Sequence, residues 1–173
     1  IPIVIAGVLF STLHQSSFGS LYLIVPGKLH QLWYSSLLPV HFFISCVAAG
    51  LSMIIFESYL IARSCTKEEG FCNTGLKMNI LSGASFVVLI ALITGLLLKI
   101  YDFVSNDKLI YLTIPSMETS LFYLEIIIGT IVPIYLLSYK KFREDKKWLY
   151  IISICVISGL ILNRLNVSIT GLV

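Results

Sequence analysis

Five apolar runs, each close to the length of a membrane span, decide what this chain of 173 residues can fold into. They cover roughly residues 1–25, 36–62, 78–101, 119–139 and 148–166. A helix needs about 20 apolar residues to cross a hydrocarbon core about 30 Å thick. Only helices or closed barrels satisfy the backbone in lipid, and these runs are too long for barrel strands. The expectation is an all-α, polytopic transmembrane helix bundle, a single domain over residues 1–173. Composition agrees, with 57% hydrophobic and 12% charged residues, against about 25% charged in soluble domains. A core built from one short chain cannot absorb that much apolar surface, and the mean hydropathy is +0.94. No basic run with interleaved aromatics suggests nucleic acid. "IPIVIAGVLF" has no basic n-region and no initiator Met, so it is not a cleavable signal. The chain reads as part of a longer protein.

The connections carry the charge. The second and fourth hold Arg63, Lys67, Lys77, Lys140, Lys141, Arg143, Lys146 and Lys147, while the first and third hold only Lys28, Lys99 and Lys108. The positive-inside rule puts the basic pair in the cytoplasm and "PGKLHQLWYSS" outside, in the periplasm of a bacterial inner membrane. Trp33, Tyr34, Tyr101, Trp148 and Tyr150 fall at span ends, where an interfacial aromatic belt is expected. Pro133 lies within the fourth run and should kink it. Cys65 and Cys72 share a cytoplasmic loop, where disulfides are disfavoured. Cys46 and Cys155 lie inside spans, and no cysteine spacing suggests a metal site.

The first run is interrupted by "LHQSSFGSLYLI", residues 13 to 24. At about 100° per residue, Ser11, Thr12, Gln15, Ser16, Gly19 and Ser20 cover one broad arc, and His14 and Ser17 fall on the remainder. Lipid cannot surround that stretch. Small residues and hydroxyls serve helix packing, but large polar groups such as His14 and Gln15 usually mark a functional cavity. The second run answers with a stripe of His41, Ser45, Ala48, Ser52 and Tyr59. Glu57 points away from that stripe, about 24 Å further toward the cytoplasm, as a proton carrier or as an interfacial cap. In "LNRLNVSITG", Asn163 and Asn166 share a face and Arg164 approaches the outer surface, where it could snorkel to water. Lys99 and Asp102 look interfacial, while Glu125 is deeper.

His14, His41, Glu125 and Arg164 are therefore expected in the outer half of the membrane, with Glu57 near the inner side. Donors such as His, Gln and Arg suit the ring carbonyls of a quinone, and buried carboxylates suit its protons. A passive anchor, with the same groups as interhelical glue, accounts for the residues nearly as well. A b-type cytochrome would place haem between His14 and His41. A transporter would show inverted repeats or broken helices, and apart from Pro133 neither is visible.

"STLHQSSFGSLYLI", "KLHQLWYSSLLPVHFFISCVAAGLSMIIFE" and "LNRLNVSITG" resemble the HybB-type membrane subunits of periplasmic hydrogenases, within the wider NrfD/polysulfide-reductase family. The likeness is almost continuous through the first 57 residues and returns at 162–171; Gln31 stands where proline is usual. The resemblance implies a bundle of about eight to ten helices, of which these five would form the C-terminal part. It implies a subunit of a respiratory oxidoreductase complex, not catalytic alone, which exchanges electrons between quinone and a periplasmic ferredoxin-like iron–sulfur subunit. Behind that subunit would stand a hydrogenase, a molybdenum enzyme or a multihaem cytochrome. The redox partner expected in the membrane is menaquinone or ubiquinone, with no haem. The family motifs put His14 at the quinone site, Glu57 on the proton path and Arg164 at the polar end of its helix. Geometry adds Gln15, His41 and Asn163 to the quinone site and Glu125 to proton transfer. No metal site is expected.

Overall fold

A computed structural model of the chain describes residues 2–24, 32–64, 78–106 and 116–170. Among them there is no strand. The helices are α1 (Pro2–Ile24), α2 (Leu38–Ser64), α3 (Met78–Ser105), α4 (Met117–Ile126), α5 (Val132–Ser138), α6 (Lys140–Arg143) and α7 (Lys146–Leu165). A π-helical turn, Ile127–Ile131, joins α4 to α5, and a second, Asn166–Thr170, extends α7. Local sequence sets the starts. Ser116 caps α4 by accepting from the Thr119 amide, and Asp145 caps α7 by accepting from Lys147, each satisfying an amide that the first turn leaves open.

Four stretches are long and apolar enough to cross a membrane: Leu38–Arg63, Ile80–Ser105, Met117–Ser138 and Lys146–Ile169. The chain is a multi-pass membrane protein. The 23-residue α1 has the length, but the polar residues between Ser11 and Ser20 keep it out of that set. The outer surface carries a dense coat of exposed Ile, Leu, Val and Phe, which in water would be a severe liability and in lipid is the expected face.

Pro133 has the predicted disturbance, but as a wider turn. Proline has no N–H, and its ring crowds the carbonyl four residues back. That carbonyl belongs to Gly129, inside the π turn, where the Val132 amide bonds five residues back to Ile127. The turn brings Gly129 onto α7. A Cβ on Gly129 would sit 2.7 Å from the Cα of Gly159, and one on Gly159 2.1 Å from the Cα of Gly129. Only two glycines allow that crossing. A similar approach joins α1 to α2, where a Cβ on Gly19 would lie 2.6 Å from the Pro39 Cα.

Helix α2 is the hub and packs against α1, α3 and α7. One apolar core, with Ile55, Val88, Leu137, Leu149 and Ile152, fills the half of the bundle away from the α2 N-terminus. A second, with Trp33, Phe42, Phe103, Phe122 and Val167, closes the other end. Trp33 thus departs from the belt expectation: it is 3% exposed, a core residue rather than an interfacial one. Trp148 and Tyr101 are exposed at helix ends. Tyr150 turns inward and stacks on Tyr59, 4.4 Å between ring centres.

Candidate functional site

A polar cluster lies between the two cores, centred on Glu125 of α4, a carboxylate only 4% exposed. Lys99 of α3 donates to its Oε1 at 2.7 Å, and the Asn163 amide donates to the same oxygen at 2.9 Å. The Asn166 amide donates to Oε2 at 3.1 Å and the Trp33 indole N–H at 3.2 Å. Four donors from three parts of the chain, α3, the segment before α2, and α7 with its extension, thus hold one carboxylate. A buried charge is tolerable only with that kind of pairing. Lys99 also lies 5.0 Å from the Phe122 ring centre. Close by, Asp102 is buried and accepts from Ser35 at 2.7 Å and from Asn106 at 3.0 Å. Asp102 is therefore buried and Lys99 half-buried, both turned toward the inside of the bundle.

Arg164, one residue beyond Asn163, turns the other way. Its guanidinium stacks 3.5 Å from the Phe42 ring centre, a cation–π contact that reaches about 2 kcal/mol when desolvated. Nη2 donates to Ser45 at 3.0 Å, and to the Phe42 carbonyl and Gln15 Oε1 at 3.4 Å each. Nη1 donates to the Asn163 oxygen at 3.1 Å. Arg164 is held inside the bundle by α1 and α2 rather than snorkelling free.

Two cavities border these groups. A cleft of about 540 Å³ opens between α1, α2 and α7. Gln15 and Arg164 are polar points on walls of Phe18, Phe42, Met53 and Leu160. The Tyr22 and Ser168 hydroxyls, 2.9 Å apart, close α1 against the extension of α7. A smaller chamber of about 120 Å³ lies between α2, α3, α4 and α7, with His41, Lys99 and Glu125 in its lining.

The seven residues expected at the site divide accordingly. Gln15 and Arg164 meet at the cleft, Asn163 joins Arg164 to Glu125, and His41 faces the chamber. His14 is exposed on α1 and lines neither cavity; its ring packs edge-on to Phe18, 4.9 Å between centres. Glu57 lies exposed on the outer face of α2, away from both. Lys99, Asn166, Trp33 and Ser45 belong to the site without having been singled out for it. The signal for Lys99 was its depth: a cation six residues inside α3 needs a carboxylate at the same level, and Glu125 is eight residues inside α4.

A model of one protein family, described as polysulphide reductase, NrfD, matches residues 2–173. The chain belongs to this family. Among curated proteins, this NrfD-family chain is 27% identical over 170 residues to the probable Ni/Fe-hydrogenase 2 b-type cytochrome subunit of Escherichia coli K12, covering 98% of the chain and 42% of that protein. It is 70% identical over 56 residues to a protein of Nitratidesulfovibrio vulgaris Hildenborough, covering 32% of the chain and 14% of that protein. The chain thus spans less than half the length of the curated relatives it matches. No solved structure gives a significant match.

The relative's name corrects one expectation. A b-type cytochrome subunit is by name a haem protein, so the NrfD-family chain is not to be read as one in which haem is excluded. The histidine pair offered for haem is a separate matter. Axial ligands must face each other from neighbouring helices, but His14 is on the exposed side of α1 while His41 lines the interior chamber. These two do not form that pair.

Proposed function

We propose that this chain is the quinone-reactive part of a respiratory membrane subunit in a bacterial inner membrane. It exchanges electrons between quinone, menaquinone or ubiquinone, and a periplasmic ferredoxin-like iron–sulfur subunit. Behind that subunit stands a hydrogenase, a molybdenum enzyme or a multihaem cytochrome; the E. coli relative's name favours the first. The observation that carries the reading is the cleft between α1, α2 and α7, with apolar walls and Arg164 on its lining. Its volume of about 540 Å³ lies within the usual range for small-molecule sites, roughly 300–1,000 Å³. A passive anchor has no use for such a cleft.

The chemistry follows from the residues. A quinone carbonyl gains negative charge as the ring is reduced, and a fixed cation in a low dielectric stabilises that charge strongly. Arg164 is that cation, held by Phe42, Ser45, Gln15 and Asn163 so that little reorganisation is needed. The Gln15 amide nitrogen is a second donor on the same wall. His14 reaches this wall through Phe18. Protons pass by way of Glu125 and Glu57.

The test uses the purified full-length complex, whose co-purifying subunits name the electron donor and whose optical spectrum reports any haem. Arg164→Gln is expected to raise the KM for quinone and slow electron transfer to it, and His14→Ala, which removes only the packing behind Phe18, to slow it less, while the iron–sulfur subunit is still reduced by its own donor. Normal quinone rates in both variants would remove the cleft from the reaction.

A further inference from the structure

The chamber beside the cleft contains one group that its neighbours do not satisfy. Glu125 has four donors, and Asp102 is held by Ser35 and Asn106. His41 differs: its Nε2 is buried and meets no hydrogen-bond partner among the described residues, although the side chain lines the chamber. Buried polar atoms are nearly always paired with protein or with ordered water. Water needs room and two to four polar partners. The chamber supplies about 120 Å³, with His41, Lys99, Asp102, Glu125 and Thr130 in its walls.

Chamber and cleft are neighbours. Phe42 and Leu160 line both. Ser45 lines the chamber, and its hydroxyl accepts from Arg164, which lines the cleft. A single hydroxyl therefore stands between the chamber and the cationic point of the cleft, one helical turn along α2 from His41.

We propose that the chamber is hydrated and that His41 exchanges protons between its water and a quinone in the cleft, with the Ser45 hydroxyl as the crossing. The proposal rests on the quinone reading above and changes the role of His41 from carbonyl ligand to proton carrier. In the direction of reduction, the quinone takes two electrons from the iron–sulfur subunit and two protons, and its two C=O groups become C–O–H. For each proton, the Ser45 hydroxyl turns from the Phe42 carbonyl, gives its hydrogen to the quinone oxygen and takes another from His41 Nε2 through chamber water; that water, resupplied from the aqueous phase, reprotonates His41, so hydroxyl and imidazole end unchanged. The charged groups around it are Lys99 and Asp102 from α3, Glu125 from α4 and, beyond Ser45, Arg164 from α7. The two cations offset the two carboxylates. A proton on His41 is then the net charge of the group, a state to be passed on rather than held in a low dielectric.

The experiment compares His41→Gln, which keeps a polar side chain but cannot titrate, with the wild-type full-length complex and a water-soluble quinone. The expected result is a turnover lowered at least tenfold, as for loss of a general acid–base group, a KM for quinone within about twofold, and loss of the pH dependence that His41 confers. Arg164→Gln should instead raise KM. A tenfold rise in KM at unchanged turnover for His41→Gln would make His41 a quinone ligand and overturn the proposal, as would wild-type kinetics. A wild-type complex that transfers no electrons to quinone would refute the quinone reading itself. A second measurement needs no variant: radiolytic hydroxyl labelling of the wild-type complex should modify His41 at least tenfold faster than buried, apolar Phe122. Equally slow labelling of the two means a dry chamber and also overturns the proposal.

Discussion

Asn163 donates its amide to Glu125 across 2.9 Å, and the oxygen of the same side chain accepts from Arg164 at 3.1 Å. One uncharged residue thus keeps a buried anion and a half-buried cation in a single network without direct contact. Consecutive positions on α7 project about 100° apart, and that angle sends Asn163 to the chamber side and Arg164 to the cleft side. Charge added at the cleft is felt at Glu125 through one amide, which links the quinone reading to the protein's own electrostatics.

Lys99 is expected to matter for stability before function. Lys99→Met leaves Glu125 without its cation, and breaking one side of a buried pair costs about 3–5 kcal/mol. The remaining three donors put the expected cost at the lower end, roughly 3 kcal/mol. The double variant Lys99→Met/Glu125→Gln should recover most of that loss, because no unpaired charge remains. Thermal unfolding of the single and double variants in detergent measures the coupling. Equal losses in both would show that the pair is not the source.

The Gly129–Gly159 crossing gives a sharper steric test. Gly159→Ala puts a Cβ 2.1 Å from a backbone carbon that no rotamer change can move. The helices must part, with an expected loss of about 1–3 kcal/mol. Gly83, in α3 with nothing within 4 Å of its added Cβ, is the control. Gly83→Ala should be neutral or gain up to about 1 kcal/mol from helix propensity. Similar unfolding temperatures for the two alanine variants would mean the crossing is looser than described.

The last four spans were legible because a run of about 20 apolar residues has few alternatives in a 30 Å hydrocarbon layer; the first, read as a fifth span, is diluted by the polar residues between Ser11 and Ser20 and is not among the four. Pro133 announced a disturbance but not its form, since a kink and a π turn both free the carbonyl that proline crowds. Arg164, Gln15, Asn163 and Glu125 could be nominated because large polar groups in a span are costly. Which of them meet could not be read, because contacts across helices depend on rotation and depth that one sequence leaves open. Trp33 was misplaced for that reason. An indole at a span end suits the interface, and only the position of Glu125 shows that its N–H has a buried acceptor.

Glu57, proposed for the proton path, lies on a face of α2 that the described helices do not cover. Glu57→Gln should slow quinone turnover in the full-length complex while leaving assembly and binding of the iron–sulfur subunit intact. Turnover with quinone and co-purification are the two measurements. A normal rate would make Glu57 an interfacial cap near Arg63.

Topology rests on the eight basic residues counted in the second and fourth connections against three in the first and third, and one of those three, Lys99, lies inside α3. Cys65 and Cys72 lie outside the described residues, in the second connection. A membrane-impermeant thiol reagent should label them in inverted vesicles and not in intact cells. Labelling of Cys65 in intact cells would turn the bundle over and put Arg164 and the cleft on the cytoplasmic side.

Cys46 offers the most direct look at the cleft. It lines the cleft from α2, whereas Cys155 on α7 is equally free and half-buried but lines neither cavity. A lipid-soluble maleimide can reach both. A quinone analogue seated near Arg164 covers only Cys46, so it should slow alkylation there and not at Cys155. At an analogue concentration ten times its Kd, about one site in eleven is empty, and protection approaches tenfold by mass action. Peptide mass spectrometry gives the two rates in one sample, and Cys46→Ser supplies the blank. Arg164→Gln should weaken the protection at fixed analogue concentration, because the carbonyl loses its cation. Equal alkylation of Cys46 with and without the analogue would place the quinone elsewhere on the subunit.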